Sequence, residues 1–330
     1  MANTTIYDVA GKAGVSLATV SRVMNNPEKV NAETRDRVLK VIKELGYRPN
    51  AIARGLASRK TTTIGIIMAD ISRASTSQLL TGIVDIAKKY DYAVKIFTIG
   101  ENDDIRESMR VIIAEQVDGI LFLNDELVHD DMDLVIGQIQ DAQIPVVLCN
   151  VFYDGTNIPS VNIDYEKATY EITKEFINEG RKNVYLLSTV RRYSVNNHKL
   201  IGYTRAMEEA GLEPMVFRTS GDVQINSLHF EEFLKTKKVD GVIAVRDSIA
   251  VSFINMAIKN GLRVPEDVAV VGLQNTKYAI LSRPTLTCVD TPVYDIGAVS
   301  MRLLTKYMKN EEVSEARVVL PYRIVKRESK

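Results

Sequence analysis

Apolar residues recur at helical spacing through the first fifty positions. Ile6, Val9, Ala10 and Ala13 fall on one face of a short helix, and Val20, Val23 and Met24 on one face of the next. Gly14-Val15 between them predicts a tight turn, so the pair reads as a helix-turn-helix. Ser16 stands where its hydroxyl can cap the second helix. Leu17, Ala18 and Arg22 then face outward, and Thr19 and Ser21 are placed for phosphate contact. A third amphipathic helix is predicted with Val38, Ile42 and Leu45 inward, Arg35, Arg37, Lys40 and Lys43 outward, and Gly46 as its stop.

From Thr62 the pattern changes to short β-rich runs alternating with helical stretches. Segments 63–68, 93–97, 119–123 and 145–149 read as buried parallel strands beside amphipathic segments, and 183–188, 241–245 and 268–272 repeat the arrangement. The expected architecture is an all-α headpiece followed by two doubly wound α/β lobes. Such lobes bind ligands at the carboxyl ends of their strands, and a hinged pair can clamp or relay a change. A chain of 330 residues, 45% of them hydrophobic, calls for two or three cores.

Charge separates the headpiece from an ordinary three-helix bundle, which amphipathicity alone would allow. Residues 1–60 carry 11 Lys and Arg against 5 Asp and Glu, a balance of +6. The whole chain has 42 of each, so residues 61–330 carry −6. Basic charge gathered on a small helical unit ahead of a larger acidic body is the layout of a nucleic-acid reader with a separate sensing domain.

Enzyme chemistry finds no support. No strand leads into a glycine-rich phosphate loop, and His129, His198 and His229 stand apart without carboxylate or cysteine spacing for a triad or a metal. Catalytic residues, metal ligands and cofactors are therefore expected to be absent. Cys149 and Cys288 lie in apolar strand-like surroundings and read as buried, inert thiols. No signal peptide and no membrane-length apolar run is seen, so a cytoplasmic, nucleoid-associated protein without membrane contact is expected.

The runs Ile6-Tyr7-Asp8-Val9-Ala10, Ala18-Thr19-Val20-Ser21-Arg22-Val23 and Gly46-Tyr47-Arg48-Pro49-Asn50-Ala51 resemble the headpiece of the LacI/GalR family of bacterial repressors. Residues 50–58 are similar to that family's hinge helix, and the resemblance continues to the C-terminus. It implies a homodimer on a palindromic double-stranded DNA operator, with Leu56 wedged into the minor groove at a central CG step. An isolated segment this short is not a stable helix, whereas two copies paired across a dyad could bury their apolar faces and bend the duplex. The resemblance sets the DNA contacts as Thr5, Tyr7, Ser16, Leu17, Ala18, Thr19, Ser21, Arg22 and Asn25, then Asn50, Ala53 and Leu56. It implies a headpiece over 1–49 and a hinge helix and linker over 50–60. The core resembles periplasmic binding proteins, with an N-terminal lobe of 61–161 plus 292–322 and a C-terminal lobe of 162–291 plus 323–330.

Two control inputs follow from the resemblance. Sugar-responsive members carry an Arg ahead of a Gly-Tyr pair and an Asp in a Gly-Phe-Asp motif; this chain has Asn196-Asn197-His198 before Gly202-Tyr203, and Gly272-Leu273-Gln274-Asn275. Neutral groups clamp sugar hydroxyls less strongly than charged ones. Arg73, Asn197, Arg246, Asp247 and Gln274 remain as a candidate effector cleft for a small sugar or phosphorylated metabolite. Tyr294-Asp295-Ile296-Gly297-Ala298-Val299 and Met301-Arg302-Leu303-Leu304-Thr305-Lys306 are similar to the Gram-positive branch that mediates carbon catabolite control. There the corepressor is the phosphocarrier protein HPr in its serine-phosphorylated form. Arg302 and Lys306 share a helix face, suited to phosphoserine; Tyr294, Asp295 and Val299 complete the expected contact. Arg73-Ala74-Ser75-Thr76 replaces an aromatic stretch usual in the branch, which leaves open a diverged paralogue controlled through the cleft instead.

Overall fold

Thr5 starts the first helix with a reciprocal cap. Its hydroxyl accepts from the Asp8 amide while the Asp8 carboxylate accepts from the Thr5 amide at 2.8 Å. A computed structural model of the chain describes residues 4–47, 61–100, 102–127, 129–153, 157–191, 193–220 and 222–330. The chain divides into two units, Met1–Thr61 and Thr62–Lys330.

The first unit contains α1 (Ile6–Ala13), α2 (Leu17–Asn25), a 3-10 turn (Pro27–Lys29) and α3 (Ala32–Leu45). Gly14 and Gly46 end α1 and α3 in left-handed conformation, φ 66° and 59°, which a side chain would strain. Val9, Ala10, Ala13, Val20, Val23, Val38 and Val41 form the core, with Ile6, Met24, Ile42 and Leu45 packed against it. Val41 is a core residue that the sequence reading left out.

The second unit begins with β1 (Thr63–Met68), α4 (Ala74–Lys89), β2 (Ala93–Thr98), α5 (Ile105–Ala114), β3 (Gly119–Phe122), α6 (His129–Asp141), β4 (Val146–Cys149) and β5 (Ser160–Ile163). It continues with α7 (Tyr165–Asn178), β6 (Val184–Thr189), α8 (Ser194–Glu209), β7 (Met215–Thr219), α9 (Val223–Thr236), β8 (Gly241–Ala244), α10 (Asp247–Lys259), β9 (Ala269–Gly272), α11 (Lys277–Leu281) and β10 (Thr287–Asp290). Then follow α12 (Val293–Met308), β11 (Arg317–Leu320) and β12 (Arg323–Val325).

Two six-stranded sheets result, ordered β11-β5-β4-β3-β1-β2 and β12-β10-β9-β8-β6-β7. The chain leaves the first sheet after Ile163, returns to it after Asp290, and leaves it again between β11 and β12. All pairings are parallel except β10 with β12, where Val289 faces Ile324. Central strands such as β3, β4, β8 and β9 are buried throughout, as continuous Val/Ile/Leu runs require. Segment 93–97 differs from expectation. It is a parallel strand, but among the described residues only β1 pairs with it, so β2 ends the sheet and Lys95 and Ile96 are exposed.

Helices α4 and α12 touch backbone to backbone. A Cβ on Gly82 would lie 2.1 Å from the Tyr294 carbonyl oxygen, and one on Gly297 would lie 2.2 Å from that of Leu79. Helix α8 meets α7 in the same way, through Gly202 against the Glu166 carbonyl. Among the described residues no helix is long and apolar enough to span a membrane.

Candidate functional site

In the helical unit, Ser16 Oγ accepts from the Thr19 amide at 3.2 Å and lies 2.9 Å from Thr19 Oγ1. This cap fixes where α2 begins and leaves its first amides, with the positive end of the helix dipole, at the surface. Leu17, Ala18 and Arg22 are exposed, while Thr19 and Ser21 are half-buried. Tyr7 is 70% exposed, an arrangement that costs apolar hydration unless something covers the ring. Thr5 and Asp8 hydrogen-bond each other, and the Thr5 donors hold the Asp8 carboxyl below its ordinary range. The Asn25 side chain and residues Asn50, Ala53 and Leu56, the whole predicted hinge among them, lie outside the described residues.

Where the two sheets' carboxyl ends converge, a polar cleft is lined by Asp70, Arg73, Ser75, Asp125, Tyr165, Tyr193, Asn196, Lys199, Arg246 and Gln274. Arg73 precedes α4 and is held by its own protein. Its guanidinium donates to Asp125 at 3.1 Å, contacts Glu126, and lies 4.6 Å from the Tyr193 ring centroid. Burial opposes its charge, yet Asp125 and Tyr193 more than compensate and raise its pKa. Contacts cross from one sheet's loops to the other's: Arg191 to Glu126 at 3.1 Å, the Ser194 amide to the Asp125 carbonyl at 3.1 Å, and Gln274 to Ser75 at 3.4 Å. The remaining cavity is about 60 Å³, room for a few waters.

Of the candidate effector residues, Arg73, Arg246 and Gln274 line the cleft, and Asp247 and Asn197 do not. Asp247 is fully buried beneath it, accepting from the Thr276 amide and, at 2.9 Å, from the Thr276 hydroxyl. Burial raises its pKa and those hydrogen bonds oppose the rise. Asn197 is exposed on α8, one residue and about 100° of helix turn from Asn196, which does line the cleft.

On the first sheet, α12 packs against α4, β3, β4 and β5. Asp295, Val299, Arg302 and Lys306 follow one another at spacings of four, three and four, so they form a single stripe. Val299 is half-buried and the other three are exposed. Tyr294 is 43% exposed, and its hydroxyl donates to Asp85 at 3.0 Å, which raises its pKa. Among the described residues, neither Arg302 nor Lys306 has a carboxylate within 4 Å.

Comparison with known proteins matches residues 5–50 to the lacI family of bacterial regulatory proteins and residues 173–330 to the periplasmic binding protein-like domain. Catabolite control protein A of Priestia megaterium is 40% identical over 333 residues, 99% of each chain. The chain belongs to the LacI family. Among solved structures, catabolite control protein A of Lactococcus lactis is 30% identical, with a TM-score of 0.71 over 81% of this chain and 98% of that one. The lac repressor dimer bound to operator and the anti-inducer ONPF shares the fold at a TM-score of 0.89, with 24% identity and 99% coverage of both chains. As a LacI-family member the protein is a DNA-binding transcriptional regulator.

Within this LacI-family core the sequence reading overlooked Lys199, three residues before Gly202. It is 2% exposed, donates to the Val245 carbonyl at 3.1 Å and sits 5.0 Å from the Tyr165 ring centroid. Burial first, then the nearby Arg246, lowers its pKa to about 7. Helical spacing from Asn196 offered the one available hint, since Asn196 and Lys199 share a face. The thiols of Cys149 and Cys288 are buried and unpaired, and burial pushes that of Cys149 up to about 12.

Proposed function

We propose that this LacI-family regulator serves carbon catabolite control: a homodimer grips a palindromic operator with a central CG step, and serine-phosphorylated HPr raises its affinity. The observation that carries the reading is the α12 stripe. An Arg fork and a Lys four residues apart, exposed and, among the described residues, without carboxylate partners, stand beside a half-buried Val, which suits a phosphoserine carried on an apolar protein surface. Full-length similarity to proteins named catabolite control protein A supports it. The contact set is Tyr294, Asp295, Val299, Arg302 and Lys306.

Dimer formation draws support from the second sheet. Helices α9 and α11 both pack on α10, and between them they expose Val223, Ile225, Leu228, Ile280 and Leu281, with Leu228 70% and Leu281 71% exposed. Apolar surface of that extent calls for a partner. A two-fold dimer would place two headpieces in successive major grooves and two hinge segments, carrying Asn50, Ala53 and Leu56, in the minor groove between them. One headpiece alone would bind weakly and with steep salt dependence, and pairing supplies the effective concentration that makes a specific complex.

The second reading, control by a small sugar or phosphorylated metabolite in the cleft, has Arg246, Lys199 and Gln274 in its favour. It requires the Arg73 network to open, because the space it leaves is too small for such a ligand. Titration of operator binding with unmodified and serine-phosphorylated HPr separates the two. The phosphorylated form is expected to tighten binding in the wild type, and Arg302→Ala to lose that effect while keeping corepressor-free binding. A response to phosphorylated HPr that survives Arg302→Ala would remove the docking site from the account.

A further inference from the structure

The loop between β6 and α8 belongs to the second sheet, yet its end is buried against the first. Tyr193, in that loop, and Val195, at the start of α8, pack into the same apolar cluster as Met68, Leu79 and Val293, and Tyr193 is 4% exposed. A guanidinium from each layer stands by the ring. Arg73, ahead of α4, and Arg246, after β8, each lie 4.6 Å from its centroid. Such contacts are attractive, and more so where water is excluded.

The loop is fastened on both sides of that ring. Glu126 meets a guanidinium from each layer, contacting Arg73 and accepting from Arg191 at 3.1 Å. The Asp125 carboxylate accepts from Arg73 at 3.1 Å, and its backbone carbonyl accepts from the Ser194 amide at 3.1 Å. Ser194 Oγ in turn accepts from the Phe152 amide, also at 3.1 Å. Ion pair, ring and backbone thus all join the second layer's loop to the first. In α/β lobes the strand carboxyl ends are where a ligand sits, and a flat body held by a few convergent polar and cationic groups is how such a ligand is bound. Tyr193 supplies that body from the chain itself.

We propose that Tyr193 is a tethered substitute for a cleft ligand, an internal contact that holds the two layers closed with no small molecule bound. Hinged lobes stay closed when something with affinity for both bridges them. A free ligand arrives by diffusion, whereas Tyr193 is covalently attached and acts at high effective concentration. A competing metabolite has to expel the ring before the cleft can take it. The contact lies apart from the α12 stripe and holds whether or not that stripe docks a phosphoprotein.

The test uses the full chain with no ligand added and reads hydrogen exchange by peptide-level mass spectrometry. The Ser194 and Phe152 amides bond across the two layers and report opening, and the Val245 amide, bonded to the Leu187 carbonyl within the second sheet, reports folding. In the wild type the two reporters are expected to exchange at least a hundredfold more slowly than unstructured amides. Tyr193→Ala should speed both at least tenfold with Val245 unchanged, Tyr193→Phe should keep most of the protection, and 4-methylphenol, which replaces the missing side chain, should restore it saturably in Tyr193→Ala. If Tyr193→Ala also loses protection at Val245, Glu126→Gln decides, because it keeps the ring and the core volume while removing the charge that holds Arg73 and Arg191; it should speed the two reporters at least tenfold with Val245 unchanged. The proposal is overturned if the wild-type reporters exchange at the unstructured rate, if the deciding variant leaves them unchanged, or if 4-methylphenol restores nothing to a folded Tyr193→Ala.

Discussion

Replacing Lys199 by Met tests the electrostatics of the cleft, because the two side chains have similar length and only one carries a charge. Lys199 is buried on α8 beside Arg246, with its pKa lowered from 10.5 to about 7. That depression penalises the protonated form by about 5 kcal/mol. The unfolded chain keeps this proton up to about pH 10, while the folded protein releases it above about pH 7. Between those values the unfolded state binds more protons, so stability rises with pH. The deficit is fully present below pH 7 and gone above pH 10, amounting to about 4 kcal/mol at pH 7 and about 1 kcal/mol at pH 10. Methionine removes the deficit and also removes the hydrogen bond to the Val245 carbonyl, which costs about 1 kcal/mol. Lys199→Met should therefore stabilise the core by about 3 kcal/mol at pH 7 and leave it unchanged or slightly weaker at pH 10. Urea unfolding of both proteins, followed by near-ultraviolet circular dichroism at one protein concentration across that range, measures the difference. A difference that stays flat from pH 7 to pH 10 would refute the argument, since it would mean that Lys199 keeps its ordinary pKa when folded.

Gly297→Ala should destabilise the core by about 2 kcal/mol or more, because its Cβ would sit 2.2 Å from the Leu79 carbonyl oxygen and push α12 off α4; denaturant unfolding that shows no loss would deny the close approach of the two helices. Leu56→Ala should cost discrimination of the central operator step more than nonspecific affinity, as fluorescence anisotropy on matched and substituted duplexes can read; equal losses on both would remove the wedge.

What could be read from the sequence was local. The Thr5 and Ser16 caps, the Gly14 and Gly46 stops and the apolar faces of α1 to α3 are each set within one helical turn, so their chemistry shows in the order of residues. The central strands showed themselves as unbroken apolar runs. What escaped depends on partners distant in the chain. Segment 93–97 has the composition of a buried strand, and its place at the edge of the sheet among the described residues exposes Ile96. Lys199 and Asp247 belong to residue types that normally face water; Lys199 is buried against Val245, and Asp247 against Thr276, 29 residues on. Asn197 and Asn196 are alike in chemistry, and only the rotational setting of α8 places one in the cleft and the other in solvent. Of the charged partners of Arg73, Asp70 stands three residues before it, but Asp125 and Glu126 lie more than 50 residues along the chain, so its role as a brace of the cleft was not visible in its neighbours.

The central claim is that the basic helical unit, doubled by dimerisation, reads an inverted repeat. Measuring the affinity of the intact protein for a CG-centred inverted-repeat duplex and for a scrambled duplex of equal length, with serine-phosphorylated HPr present, tests it most directly. The account predicts a preference for the repeat of at least a thousandfold at physiological salt. Equal affinity for the two duplexes would contradict it.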